Sequence, residues 1–188
     1  YTLGAEGRLH CFELTTGDGV WSRDLRVEYD VRQDFFGTAS TPLAENGLLI
    51  VVVGAPGGPC VVAFDGATGR EVWRAGEWGP SYASPVPATL HGKRRVLVFA
   101  GGESTPPTGG LLSIDPADGE IDFAFPFRSR TYESVNASCP VVFDDTVFIS
   151  ASYRTGGALV RVRPDFTPEV VWTTQDFALH FNTAIHKD

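Results

Sequence analysis

Apolar residues in this chain fall in short runs broken by turn residues. LLIVVVG (Leu48–Gly54), CVVAFD (Cys60–Asp65), RRVLVFAG (Arg94–Gly101), LLSID (Leu111–Asp115) and TVFISAS (Thr146–Ser152) are the clearest. Each is too short for a stable helix and is rich in β-branched or aromatic residues, so each predicts a strand. Near-continuous apolar runs imply burial on both faces of the sheet. Asn46-Gly47, His91-Gly92 and Asp144-Asp145 supply tight turns before three of these runs. No long amphipathic helical period appears.

The pattern repeats. GRLHCFELTTGDGVW (Gly7–Trp21), CVVAFDGATGREVW (Cys60–Trp73) and LLSIDPADGEIDF (Leu111–Phe123) align. Each has an apolar strand and then an acidic residue (Glu13, Asp65, Asp115). A Gly follows four residues later (Gly17, Gly69, Gly119), and an aromatic four after that (Trp21, Trp73, Phe123). The glycines recur at intervals of 52 and 50 residues. A degenerate copy, ALVRVRPDFTPEVVW, places Trp172 at the aromatic position, with Asp165 and Pro168 in a longer turn that lacks the Gly. An acidic side chain can accept backbone N–H bonds in such a turn, and Gly tolerates the positive φ it needs.

A second register keeps the same period. Ala39-Ser40-Thr41-Pro42, Tyr82-Ala83-Ser84-Pro85 and Ala137-Ser138-Cys139-Pro140 each precede a strand, and Phe181-Asn182-Thr183-Ala184 resembles them. The order per repeat is strand, turn, strand, loop, strand, acidic-to-Gly turn, aromatic strand. Four strands in about 50 residues match a β-propeller blade. The fold class is therefore all-β, a propeller of four-stranded antiparallel blades. Blade periods fall at 1–37, 38–80, 81–135 and 136–179, with 180–188 beginning another. Four periods are part of a seven- or eight-bladed ring, completed by further blades or by self-association.

Composition narrows the function classes. The 188 residues include 21 Gly and 13 Pro, as an all-β chain with many turns requires, and the formal net charge is −8. That charge disfavours nucleic acid as a partner. The densest basic cluster, Gly92-Lys93-Arg94-Arg95, reads as a solvated hairpin turn. No apolar stretch is long enough for a transmembrane helix. The three cysteines, Cys11, Cys60 and Cys139, form neither a disulfide framework nor a metal motif. Cys11 aligns with Ala63 and Ser113, which marks a site for a small packed residue. His10, His91, His180 and His186 show no metal-ligand spacing.

AFDGATGREVW and SIDPADGEIDF resemble the quinoprotein-type repeat. That repeat occurs in pyrroloquinoline-quinone (PQQ) alcohol dehydrogenases and in the propeller lipoprotein of the bacterial outer-membrane barrel-assembly machinery. GAPGGPCVVAFDGATG, SVNASCPVVFDDTVFISASY and HFNTAIHKD are similar to bacterial PQQ-binding-like propeller proteins. The resemblance implies a periplasmic or otherwise exported protein. Under a dehydrogenase reading it implies PQQ with calcium on the propeller axis and an alcohol or sugar substrate. The dehydrogenases carry an adjacent cysteine pair, which is missing here, and their Glu, Asn and Asp calcium set has no assigned positions in this chain. No catalytic, cofactor or metal residue is therefore designated, and the leading expectation is a non-catalytic scaffold that binds a protein or small ligand.

Candidate site residues come from the second register. Thr38, Ser81, Asn136 and His180 each lie three residues before its third position and are all polar. They are expected to ring the mouth of the central channel. The plainer reading is loop capping, and the functional one is a binding funnel in which Asn136, His180 and Asn182 lead. Arg128 and Arg130, beside Phe127 and Tyr132, are suited to holding a carboxylate. Their plainer reading is a solvated loop paired with Glu133.

Overall fold

The computed structural model describes residues 1–31 and 37–187. It contains fifteen strands and one short helix among those residues. Blade 1 is a three-stranded sheet of β1 (Thr2–Leu3), β2 (Arg8–Phe12) and β3 (Gly19–Asp24), followed by α1 (Leu25–Tyr29). Blade 2 comprises β4 (Leu43–Glu45), β5 (Leu48–Val52), β6 (Val61–Asp65) and β7 (Glu71–Ala75). Blade 3 comprises β8 (Val86–Leu90), β9 (Lys93–Ala100), β10 (Gly110–Ile114) and β11 (Ile121–Pro126). Blade 4 comprises β12 (Val141–Phe143), β13 (Thr146–Ala151), β14 (Gly156–Val162) and β15 (Pro168–Thr174). All pairings are antiparallel between consecutive strands. The all-β propeller read from the repeat is the architecture observed. The expected turns hold too: Asn46, His91 and Asp144 all take positive φ.

The cores lie between blades, because each sheet has two apolar faces. Alternation within a strand sends neighbours to opposite sides. Leu49 and Val51 face blade 1, where they meet Leu9, while Ile50 and Val52 face blade 3. In β9, Val96 and Val98 turn to blade 2 and Leu97 and Phe99 to blade 4. This is why the sequence runs are apolar without alternation.

The aromatic of each blade locks it to the next. Trp21 pairs with Cys11, Trp73 with Ala63, Phe123 with Ser113 and Trp172 with Leu159, and a bulge follows at the same place every time. Small residues sit opposite the first three aromatics, as the Cys11 alignment implies. The Trp21 indole N–H donates to the Gly66 carbonyl of blade 2 (2.8 Å), and that of Trp73 to the Pro116 carbonyl of blade 3 (3.0 Å). The rings lie over the turn glycines: a Cβ on Gly69 would sit 2.6 Å from Trp21, and one on Gly119 2.7 Å from Trp73. Both glycines also have positive φ, so the position excludes other residues twice over. The acid sets the turn: Asp65 Oδ1 accepts from the Thr68 N–H and hydroxyl, and Asp115 Oδ1 from the Ala117 N–H.

The junction of blades 3 and 4 is built differently. Phe166, with φ +62°, replaces the turn Gly and is buried in the same cluster as Phe123. Arg95 lies over the Phe166 ring (4.7 Å), Lys93 also approaches it (5.3 Å), and His91 meets it edge-on (6.1 Å). Arg95 corrects the sequence reading of its cluster as a solvated turn. Lys93, Arg94 and Arg95 belong to β9, and Arg95 is buried. Its charge is compensated by Asp122 (2.7 Å) and Asp115 (2.8 Å), and Ser113 donates to the same Asp122 oxygen.

Candidate functional site

The second register forms a hydrogen-bond chain from blade to blade. The Thr41 N–H donates to Ser84 Oγ (2.9 Å), the Ser84 N–H to Cys139 Sγ (3.3 Å) and the Cys139 N–H to Thr183 Oγ1 (3.1 Å). Thr, Ser and Cys share that position because it needs a small side chain able to accept. The chain of bonds holds the first strand of each sheet beside the next, and places the preceding loops together at one end.

Those loops enclose a cleft of about 200 Å³. The connections between blades and the β5–β6 and β9–β10 loops all contribute to it. Much of its wall is backbone at Gly37, Gly54, Gly79, Gly101 and Gly102. Gly54 and Gly101 are close approaches, since a Cβ on either would meet Pro80 at 2.2 Å and 1.9 Å. Glu77, Glu103, Tyr82, Tyr132 and Arg128 supply its larger polar side chains.

The structure divides the predicted face residues. Thr38 and Ser81 line the cleft, as does Arg128, whereas Asn136, His180, Asn182 and Arg130 are not among its lining residues. Asn136 is fully buried at 0% exposure, and its amide donates to the carbonyls of Ala100 (2.8 Å) and Phe127 (3.1 Å). Its backbone carbonyl accepts from the N–H groups of Tyr82 and Ala83. Asn136 is thus a staple between blades 3 and 4, chosen because buried backbone groups need partners. His180 packs against Tyr153 (5.3 Å) and Phe181 (4.2 Å), and burial lowers its pKa. Asn182 and Arg130 are exposed.

Arg128 departs from the plainer of its two sequence readings. Its guanidinium donates to the carbonyls of Ser129 (2.8 Å) and Ser134 (2.7 Å), so it folds its own loop rather than pairing with Glu133. Burial pushes its pKa down, with Glu103 opposing. Sequence reasoning missed the glycine-rich cleft wall, Glu77 and Glu103, and named Tyr132 only as a neighbour of the two arginines. The only advance signal is the density of Gly and Pro in GAPGGP and GGESTPPTGG.

Antiparallel four-stranded blades, locked by an aromatic over the next blade's turn glycine, define a quinoprotein-type β-propeller. The chain belongs to the family described as outer membrane protein assembly factor BamB, whose sequence pattern matches residues 1–187. Its fold is similar to that of quinohemoprotein alcohol dehydrogenase from Comamonas testosteroni (TM-score 0.66, 16% identity, covering 95% of this chain and 33% of that one). It is also similar to BamB from Moraxella catarrhalis (TM-score 0.54, 17% identity, covering 84% and 40%). The chain thus spans well under half the length of these structures. No curated protein sequence matches it significantly.

A quinone with calcium is the group the dehydrogenase likeness implies. The cleft's acids, Glu77 and Glu103, are both exposed. Among the described residues no three His, Cys, Asp or Glu side chains cluster as a metal site would require. Cys60 is deeply buried in blade 2, with its thiol pKa pushed up to about 12 by burial, and no other cysteine adjoins it in sequence. This donor set does not fit a carboxylate-held calcium beside a cysteine pair.

Proposed function

We propose that the chain is part of a non-catalytic, exported propeller scaffold whose cleft-bearing face binds a protein partner. The observation that carries this reading is the make-up of that face. Tyr132 is 68% exposed at the cleft, beside the exposed Arg130, and Tyr82 and Arg128 lie deeper. Tyr and Arg are the side chains that most often anchor protein interfaces. Glycine-lined walls add backbone N–H and C=O groups within reach of an extended peptide. Membership of a family described by outer-membrane protein assembly supports a partner from that process and an exported, periplasmic setting.

Binding of an unfolded outer-membrane β-barrel polypeptide, measured by interferometry, tests the reading. Tyr132→Ala combined with Arg130→Glu is expected to weaken it at least about tenfold, the scale of a lost interface anchor. Equal binding by the variant would reject this face. Dye-linked alcohol oxidation above background on adding PQQ and calcium would overturn the non-catalytic reading.

A further inference from the structure

The connection between blades 3 and 4 leaves two donors unspent at the cleft. Ser134 is 0% exposed and lines the cleft. Its N–H donates to the Thr131 carbonyl (3.1 Å) and its carbonyl accepts from Arg128 (2.7 Å), so its backbone is fully used and held in place. Its hydroxyl has no partner among the described residues. Arg128, half-buried in the same wall, has a like surplus. Its bonds to the Ser129 and Ser134 carbonyls leave its Nε–H without an acceptor and shut off from solvent. Among the described residues Arg128 makes no ion pair, whereas Arg95 meets both Asp115 and Asp122. Buried donors and desolvated charges are otherwise paired in folded proteins.

Charge decides what fits these two groups. A trapped water would satisfy the Ser134 hydroxyl but leave the Arg128 cation uncompensated, and burial already weighs against that cation. An anion answers both, with a charge-assisted bond from the guanidinium and a second from the hydroxyl. The rest of the cleft narrows the choice of anion. Its volume, about 200 Å³, is below the usual range of sites for whole small molecules and cofactors. It suits one end or one side chain of something larger. Glu77 and Glu103 stand exposed at the same cleft. Two acids repel a phosphate ester or any polyanion, and tolerate a single carboxylate carried on a neutral or basic chain.

We propose that Arg128 and Ser134 capture a carboxylate of the bound polypeptide. This site rests on the polypeptide-binding reading of the face, and adds the group by which the chain is held. The carboxylate comes from the chain terminus or from an Asp or Glu side chain. Binding requires a small rotation of both side chains, because neither free donor is open to solvent.

Isothermal titration calorimetry with three short N-acetylated Gly/Ser peptides tests this and separates the two sources. The first ends in Lys-Val with a free carboxylate. The second is its C-terminal amide. The third is an amide with Glu in place of the Val. At least one of the two acidic peptides should bind about tenfold more tightly than the neutral amide, the scale of one charge-assisted bond, and the tighter one names the source. Arg128→Gln should erase that preference. Ser134→Ala should weaken the preferred peptide about threefold or more without lowering stability in urea, because the hydroxyl it removes has no partner in the fold. Equal affinity for all three peptides, no binding of either acid, or a preference that survives both substitutions would overturn the carboxylate site. An unfolded β-barrel polypeptide still bound in that case, and lost with Tyr132→Ala and Arg130→Glu, would leave the polypeptide face standing and strike only the carboxylate.

Discussion

The junctions of blades 2 with 3 and of blades 3 with 4 share one register but use different chemistry. At the first, Trp73 lies over Gly119 and donates to Pro116. At the second, Phe123 stands in the aromatic place and the turn carries Phe166 instead of Gly. The two departures belong together. A Phe has no N–H to give to a turn carbonyl, and a turn without Gly leaves no bare backbone for a ring to cover. The side chain lost from one blade is supplied by the next, and Phe166 is held by Arg95, Lys93 and His91. An inter-blade junction therefore needs a fixed volume filled at a fixed register, and the donor of that volume can change sides.

Substitutions can break this comparison in graded steps. Trp73→Ala removes both the ring and its hydrogen bond, and should cost about 3–5 kcal/mol in urea unfolding. Gly119→Val disturbs the same contact from the opposite side, so the double variant should cost clearly less than the sum of the two. Arg95→Met at the other junction leaves the partly buried Asp122 and Asp115 without their cation, with an expected loss of about 2 kcal/mol. Phe123→Trp should gain no stability, because the facing turn holds Phe166 where a docking Trp needs Gly. A gain of more than about 1 kcal/mol would show that the two junctions are interchangeable.

The smallest effect lies at a partly exposed pair linking blades 2 and 3. Arg94 bonds Glu45 (2.8 Å) and holds its carboxyl below the usual carboxylate range. The unfolded chain takes up that proton at higher pH than the folded one. The pair's contribution is therefore full above the ordinary carboxylate pKa and is lost as pH falls through the lowered value. Glu45→Gln should flatten that part of the acid limb and cost about 0.5 kcal/mol at neutral pH.

Blade number, strand order and the docking aromatics were legible because they repeat: an interval near 50 residues exposes Asp65, Gly69 and Trp73 without any structure. The partners of the odd junction were not. Phe166 lies in a turn with no Gly to mark it, and Arg95 reads as part of a charged turn until Asp115 and Asp122 are brought beside it. The cleft was half visible. Thr38 and Ser81 follow from register, but Asn136 shares that register and is spent on backbone carbonyls, because its loop is buried between blades. Glu103 and Tyr132 come from loops of unequal length, which no repeat aligns.

Indole N–H exchange by nuclear magnetic resonance tests the docking of blade on blade most directly. The Trp73 indole proton, buried and bonded to Pro116, should exchange only through global unfolding, with an opening free energy equal to that from urea denaturation. Exchange of that proton at the rate of an exposed indole, in a folded protein, would contradict the account.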